Sequence, residues 1–190
     1  MTRQQYFSIR LIITLGVSLA IWMLLAWNYF HGGVPSHHIL ANKDLPQISN
    51  AWGALVLPLL TWLLLYRVQQ SMLLPKAAGT HTRSAAGSKL LGFGVALLFG
   101  ATLAACFSFG YPEACGYMVL ALFPLALFVP IYGAQFLLGF VLGMTFTFGA
   151  ILPAVFGALL CMAGFLLYQY IRPALRYMGA LLYSASGLRK

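Results

Sequence analysis

Long apolar runs alternate with short polar breaks along this chain. The runs are Leu11–Phe30, Ala51–Tyr66 and Leu90–Gly110, after which Tyr117–Ile171 passes without one charged side chain. A helix needs about 20 apolar residues to cross a hydrocarbon layer roughly 30 Å thick. The first three runs therefore predict one span each, and the fourth predicts more than one. Turn signals divide it, "VPIYGAQ" around Pro130 and Gly133 and "FGAILPA" around Gly149 and Pro153. The predicted spans are 11–30, 51–66, 90–110, 117–131, 134–150 and 152–171. The alternative is one long Pro-kinked helix across 117–146, which leaves four or five spans. Ser49 or Asn50, following Pro46, is the expected N-cap of the second span. The first run has the basic flank of a signal peptide. It is longer than a usual signal core and lacks a small-x-small cleavage site, so it is expected to be retained.

Composition turns these runs into a membrane protein. The chain is 62% hydrophobic and 7% charged, against roughly 25% charged in soluble domains. So few charges cannot cover a water-facing surface, and the fold class expected is an all-α polytopic bundle in one domain, 1–190. Lys and Arg favour cytoplasmic loops. With six spans, the N-terminus with Arg3 and Arg10, the loop 67–89 and the tail 172–190 all fall inside. Of the 11 basic residues only Lys43 then lies outside, in the loop 31–50. Both termini are accordingly expected in the cytoplasm, with a bacterial inner membrane as the setting. The net charge of +9 points to anionic lipid headgroups rather than nucleic acid, because the cations sit between and beyond the apolar runs. The tail, with Leu175, Met178, Leu181 and Leu182 at helical spacing, either extends the last helix along those headgroups or frays.

What the spans lack excludes several chemistries. No lysine is placed for a retinal Schiff base, no carboxylate pair for an aspartyl protease and no HExxH for a zinc protease. No span has an internal histidine to hold haem, and a P-loop and a dinucleotide fingerprint are both missing. Cys106, Cys115 and Cys161 form no CxxC pair. Packing motifs remain. "GFVLG", Gly139 to Gly143, matches GxxxG, and "GVSLA", Gly16 to Ala20, and "ATLAA" match its looser small-xxx-small form. These faces are expected to join helices within the bundle, or to meet a membrane-protein partner or a second copy.

The polar loop "HGGVPSHHILANKDLPQISN" holds most of the remaining chemistry. His31, His37, His38 and Asp44 share it, and Glu113 follows on the next outer loop. Imidazole with carboxylate suits Zn²⁺, Cu²⁺ or Fe²⁺, which makes His37, His38, Asp44 and Glu113 candidate metal ligands. Neighbouring His37 and His38 point apart on a helix or a strand, however, so one ion rarely uses both. Ser36 or Ser49 beside a histidine also permits a catalytic drawing, with no GxSxG elbow to support it. The third reading is a lid, because the loop exceeds the usual connection length and carries Val34, Ile39, Leu40, Leu45 and Ile48 at intervals. As a ligand site it offers His31, His37, His38, Asp44, Ser49, Asn50 and Glu113.

These observations favour a non-enzymatic protein that binds or passes a small or lipid-like molecule, or an integral subunit of a transport complex. A metal-handling protein or enzyme on the outer face, and a structural subunit, are the alternatives. Six spans with both ends inside and an outer capping loop resemble, in architecture, the substrate-capturing subunits of energy-coupling-factor transporters. No site residue is carried over from that resemblance.

Overall fold

A computed structural model describes residues 3–34, 36–38, 47–73 and 82–185. They form an all-α helical bundle: α1 Arg3–Phe30, α2 Gly53–Leu73, α3 Thr82–Ser108, α4 Pro112–Phe128, α5 Ala134–Phe148, α6 Ile151–Leu166 and α7 Arg172–Ala185. Two short strands, β1 Ser36–His38 and β2 Gln47–Ser49, pair antiparallel between α1 and α2, with Ser36 opposite Ser49 and His38 opposite Gln47. Segments Arg3–Phe30, Asn50–Met72, Ala86–Ser108 and Ile151–Leu182 are long and apolar enough to cross a membrane. Large apolar side chains such as Ile12, Met23, Leu55, Leu98 and Leu120 are exposed around the bundle, as they are where lipid is the solvent. The chain is an integral membrane protein.

Helix α5 sits at the centre. It is apolar nearly all round, and Leu138, Gly139, Phe140, Val141, Met144 and Thr145 are all buried, the behaviour of a helix surrounded by others. It runs parallel to α3 and touches it backbone to backbone. A Cβ built on Gly139 would strike the Phe93 carbonyl oxygen, one on Gly143 the Leu97 carbonyl oxygen, and one on Gly100 would lie 2.6 Å from the Phe140 carbonyl oxygen. On its other sides α5 meets α2, where Val141 clusters with Leu57 and Ile21, and α6, where Gly157 sits under Leu137 and Phe140. Helices α1 and α2 run antiparallel, since Phe7 packs edge-on against Trp62 at 5.7 Å while Trp22 Nε1 donates to the Ala54 carbonyl at 3.1 Å. This alternation brings Arg10, Arg67, Lys89, Tyr132 and Arg172 to one end of the bundle. The hairpin, Gly110 and Glu113 lie at the other.

Several boundaries differ from the sequence reading. The long helix across 117–146 is not formed. Val129, held extended at φ −115° by the following Pro130, ends α4, and Gly133 at φ −72°, ψ 148° restarts the chain as α5. The loop 67–89 is largely helical, because α2 continues to Leu73 and α3 begins at Thr82. Past Arg67 water can satisfy the helix, and Gln69 Nε2 fastens this extra turn to the Tyr6 carbonyl at 2.7 Å. The tail is helical through Ala185, joined to α6 by a π turn at Leu167–Ile171. The Gly16–Ala20 pair makes no close helix contact within the described bundle. Both residues are exposed, and no atom lies within 4 Å of a Cβ built on Gly16. Helix α1 packs instead through the stripe Arg10, Ser18 and Ile21.

The two small-residue motifs should therefore respond oppositely to the same change. Gly139→Ala or Gly143→Ala forces α3 and α5 apart and should cost about 1–3 kcal/mol. Gly16→Ala meets nothing and should stabilise α1 by about 0.5–1 kcal/mol through helix propensity. Thermal unfolding midpoints in detergent measure both.

Candidate functional site

Of the loop candidates, the side chains of His31, Ser49, Asn50 and Glu113 are described. His31 ends α1, its ring stacked on Trp27 at 3.9 Å and 15°, with Nδ1 2.9 Å from the Trp27 carbonyl oxygen. A protonated Nδ1 donates that bond and leaves Nε2 outward. The backbones of His37 and His38 belong to β1. Their side chains, and the whole of Asp44, fall outside the described residues. Glu113 is exposed in the first turn of α4, where the helix dipole favours its charge. It borders an open depression of about 600 Å³ with Tyr111 and Tyr117. Among the described residues, no three His, Cys, Asp or Glu side chains come together as a metal site.

Ser49 and Asn50 have structural employment. Ser49 Oγ accepts from Ala51 N at 3.2 Å and caps the turn Asn50–Trp52. The Asn50 side chain lies over Gly149, whose φ of +71° closes the α5–α6 turn and whose missing Cβ makes the room. The chain just after β2 is thus fastened to the α5–α6 turn.

Two other places carry more chemistry. The first is an apolar cavity of about 90 Å³ between α3, α4, α5 and α6, partly open to the outside. Its lining is hydrocarbon, aromatic ring and one thiol, with Ala96, Phe99, Leu122, Ile131, Leu160 and Cys161 among the walls. The lining also includes Val95 and Leu125, both exposed on the outer surface of the bundle. Its one polar hydrogen is that of the Cys161 thiol, 3.6 Å from the Ile131 carbonyl oxygen. The cavity can take only an apolar group.

The second place is Arg10. The sequence places it in the basic N-terminal flank, and the structure packs it against the next helix. Arg10 is only 9% exposed, with its guanidinium 4.0 Å from the Trp62 ring centroid, 5.1 Å from Tyr66 and 5.6 Å from Phe7. Its Nε has no hydrogen-bond partner. Aromatic faces attract a guanidinium by about 0.5–2 kcal/mol each, which offsets part of the cost of taking the charge out of water. The signal was present in the sequence as Phe7 one turn before Arg10, with Trp62 and Tyr66 one turn apart on the next span. Elsewhere at this end, Lys89 Nζ donates to Gln135 Oε1 at 3.4 Å, and Arg172 lies 4.3 Å over Tyr168, which itself packs against Tyr132.

The chain matches no known family model, no curated protein and no solved structure.

The Asn50–Gly149 fastening gives a direct test. Gly149→Ala should cost about 2 kcal/mol by placing a side chain at positive φ against Asn50, and Ser49→Ala about 1 kcal/mol by removing the cap. Both should raise hydrogen exchange at Asn50–Trp52 before any effect on α3.

Proposed function

We propose that this is a non-enzymatic inner-membrane protein that takes a lipid-like molecule laterally from the bilayer into the apolar cavity among α3, α4, α5 and α6. That cavity is the observation that carries the reading. Drug-sized ligands need pockets of roughly 300–1,000 Å³ with a few placed polar groups. A volume of about 90 Å³ lined without such groups instead fits one slim chain, such as part of an acyl or isoprenoid tail. Because Val95 and Leu125 reach the outer surface, the path in is through lipid, and no water-filled channel is required. The gathering of Arg3, Arg10, Arg67, Lys89 and Arg172 at one end supports the cytoplasm as the side that end faces, with both termini there.

A second reading, an integral subunit of a larger membrane complex, is favoured by α7. Leu175, Met178 and Leu182 on this helix are exposed beyond the bundle, beside Arg172 and Arg176. An amphipathic helix in that position can lie on anionic headgroups or on a partner.

Filling the rim should separate binding from folding. Val95→Phe, at an exposed position, should change stability by less than about 0.5 kcal/mol while removing most of the lipid-like molecule that co-purifies with the native chain, measured by mass spectrometry of extracted lipids. Equal retention would remove the cavity from the account. For orientation, single cysteines at His37 and Lys190, in a chain freed of Cys106, Cys115 and Cys161, should label from opposite sides of sealed vesicles.

A further inference from the structure

We infer that the groove between α1 and α2 at the basic end is a binding site for a phosphate group, with Arg10 as its central cation. The groove has a volume of about 560 Å³ and is lined by Arg3, Tyr6, Arg10, Tyr66, Gln69 and Gln70 among others. Its lining carries guanidinium groups and no carboxylate. The whole chain has only two acids, and the one that is described, Glu113, lies at the opposite end of the bundle. A buried guanidinium without a counter-ion is costly, and the rings of Trp62, Tyr66 and Phe7 compensate only its faces. The donors in its plane are not satisfied by those rings, and Arg10 lines the groove. That planar fork matches a phosphate oxyanion.

The neighbouring groups are set for the same ligand. Gln70 Nε2 donates to the Tyr66 hydroxyl oxygen at 2.9 Å, which leaves the phenolic O–H free to donate into the groove. Gln69 is occupied with the Tyr6 carbonyl, so it shapes the wall and does not compete for the anion. Arg3 adds a second positive charge at the mouth. The phosphate can come from a lipid headgroup or from the free ion, since both present the same oxygens. None of these residues lines the apolar cavity, so the inference stands apart from the function proposed above.

The test uses the full chain, purified in a non-ionic detergent without phosphate buffer and titrated with short-chain phosphatidylglycerol. Native mass spectrometry counts bound lipid and thermal unfolding reports the affinity. One lipid should saturate the native chain, and Arg10→Gln should weaken it more than about tenfold, the loss expected for hydrogen bonds to a charged group. Arg10→Lys keeps the charge but not the fork and should weaken binding about tenfold. It carries the comparison should Arg10→Gln not fold. Val95→Phe should leave this binding unchanged. Displacement of the lipid by millimolar inorganic phosphate would support the site with the free ion as occupant, and failure of phosphate to compete would support it with the headgroup. Equal binding of uncharged diacylglycerol, or unchanged affinity in Arg10→Lys, would overturn the inference.

Discussion

The backbone of α5 lies directly on that of α3 because neither helix has a side chain at the crossing. Gly139 and Gly143 from one helix and Gly100 from the other make the contact. Lipid tails are as apolar as leucine, so no hydrophobic force holds helices together in a bilayer, and close packing must do it. Once that contact forms, α5 is enclosed by α2, α3 and α6, and its length ceases to be set by the membrane. Its 15 residues rise only about 22 Å, less than the roughly 30 Å hydrocarbon thickness. A helix wrapped in protein does not need to match the bilayer. The longer helices do that, and the short one gives them a common surface.

The same crossing explains where space is left. Helices α3 and α5 are too close for anything to enter between them, while α4 leans on α3 and α6 through larger side chains. Leu103, Phe140 and Met144 cluster with partly buried Val119 and Leu160, and Gly164 lets Ile131 approach α6. Packing by bulky, irregular side chains fills space less evenly than backbone contact does. The apolar cavity lies where these two kinds of packing meet.

Which features the sequence exposed follows from the range over which each is encoded. Helix existence is local. Apolar runs broken by Gly110, Pro130, Gly133 and Gly149 delimit the helices to within a few residues. The end of α2 lies beyond the span expected from the charged Arg67, because polarity ends the hydrocarbon layer and not the helix. Motifs were ambiguous for a different reason. Gly139–Gly143 and Gly16–Ala20 share a pattern, yet only the first pair faces another helix, since facing depends on how whole stripes match. On α1 the stripe through Ser18 and Ile21 packs better, and Gly16 turns outward. The burial of Arg10 has no local signature because its partners Trp62 and Tyr66 lie on another helix, and only the antiparallel register of α1 and α2 brings them beside it.

That register leaves the two halves of the molecule differently satisfied. Helices α1, α3 and α5 each carry a hydroxyl that bonds the carbonyl one turn back: Ser18 with Thr14 at 2.7 Å, Thr102 with Leu98 at 2.8 Å and Thr145 with Val141 at 2.6 Å. Such bonds are local and survive any shift of one helix against another. Among the described residues, the buried polar side-chain atoms without a partner are Arg10 Nε, Thr14 Oγ1 and Thr61 Oγ1, all on α1 and α2. Each unmet group costs about 1–3 kcal/mol. The α3–α5 side is thus closed by contacts that tolerate no insertion, and the α1–α2 side retains unmet donors along its seam. A bundle built this way has one half closed by backbone contact and another that keeps buried polar atoms without protein partners.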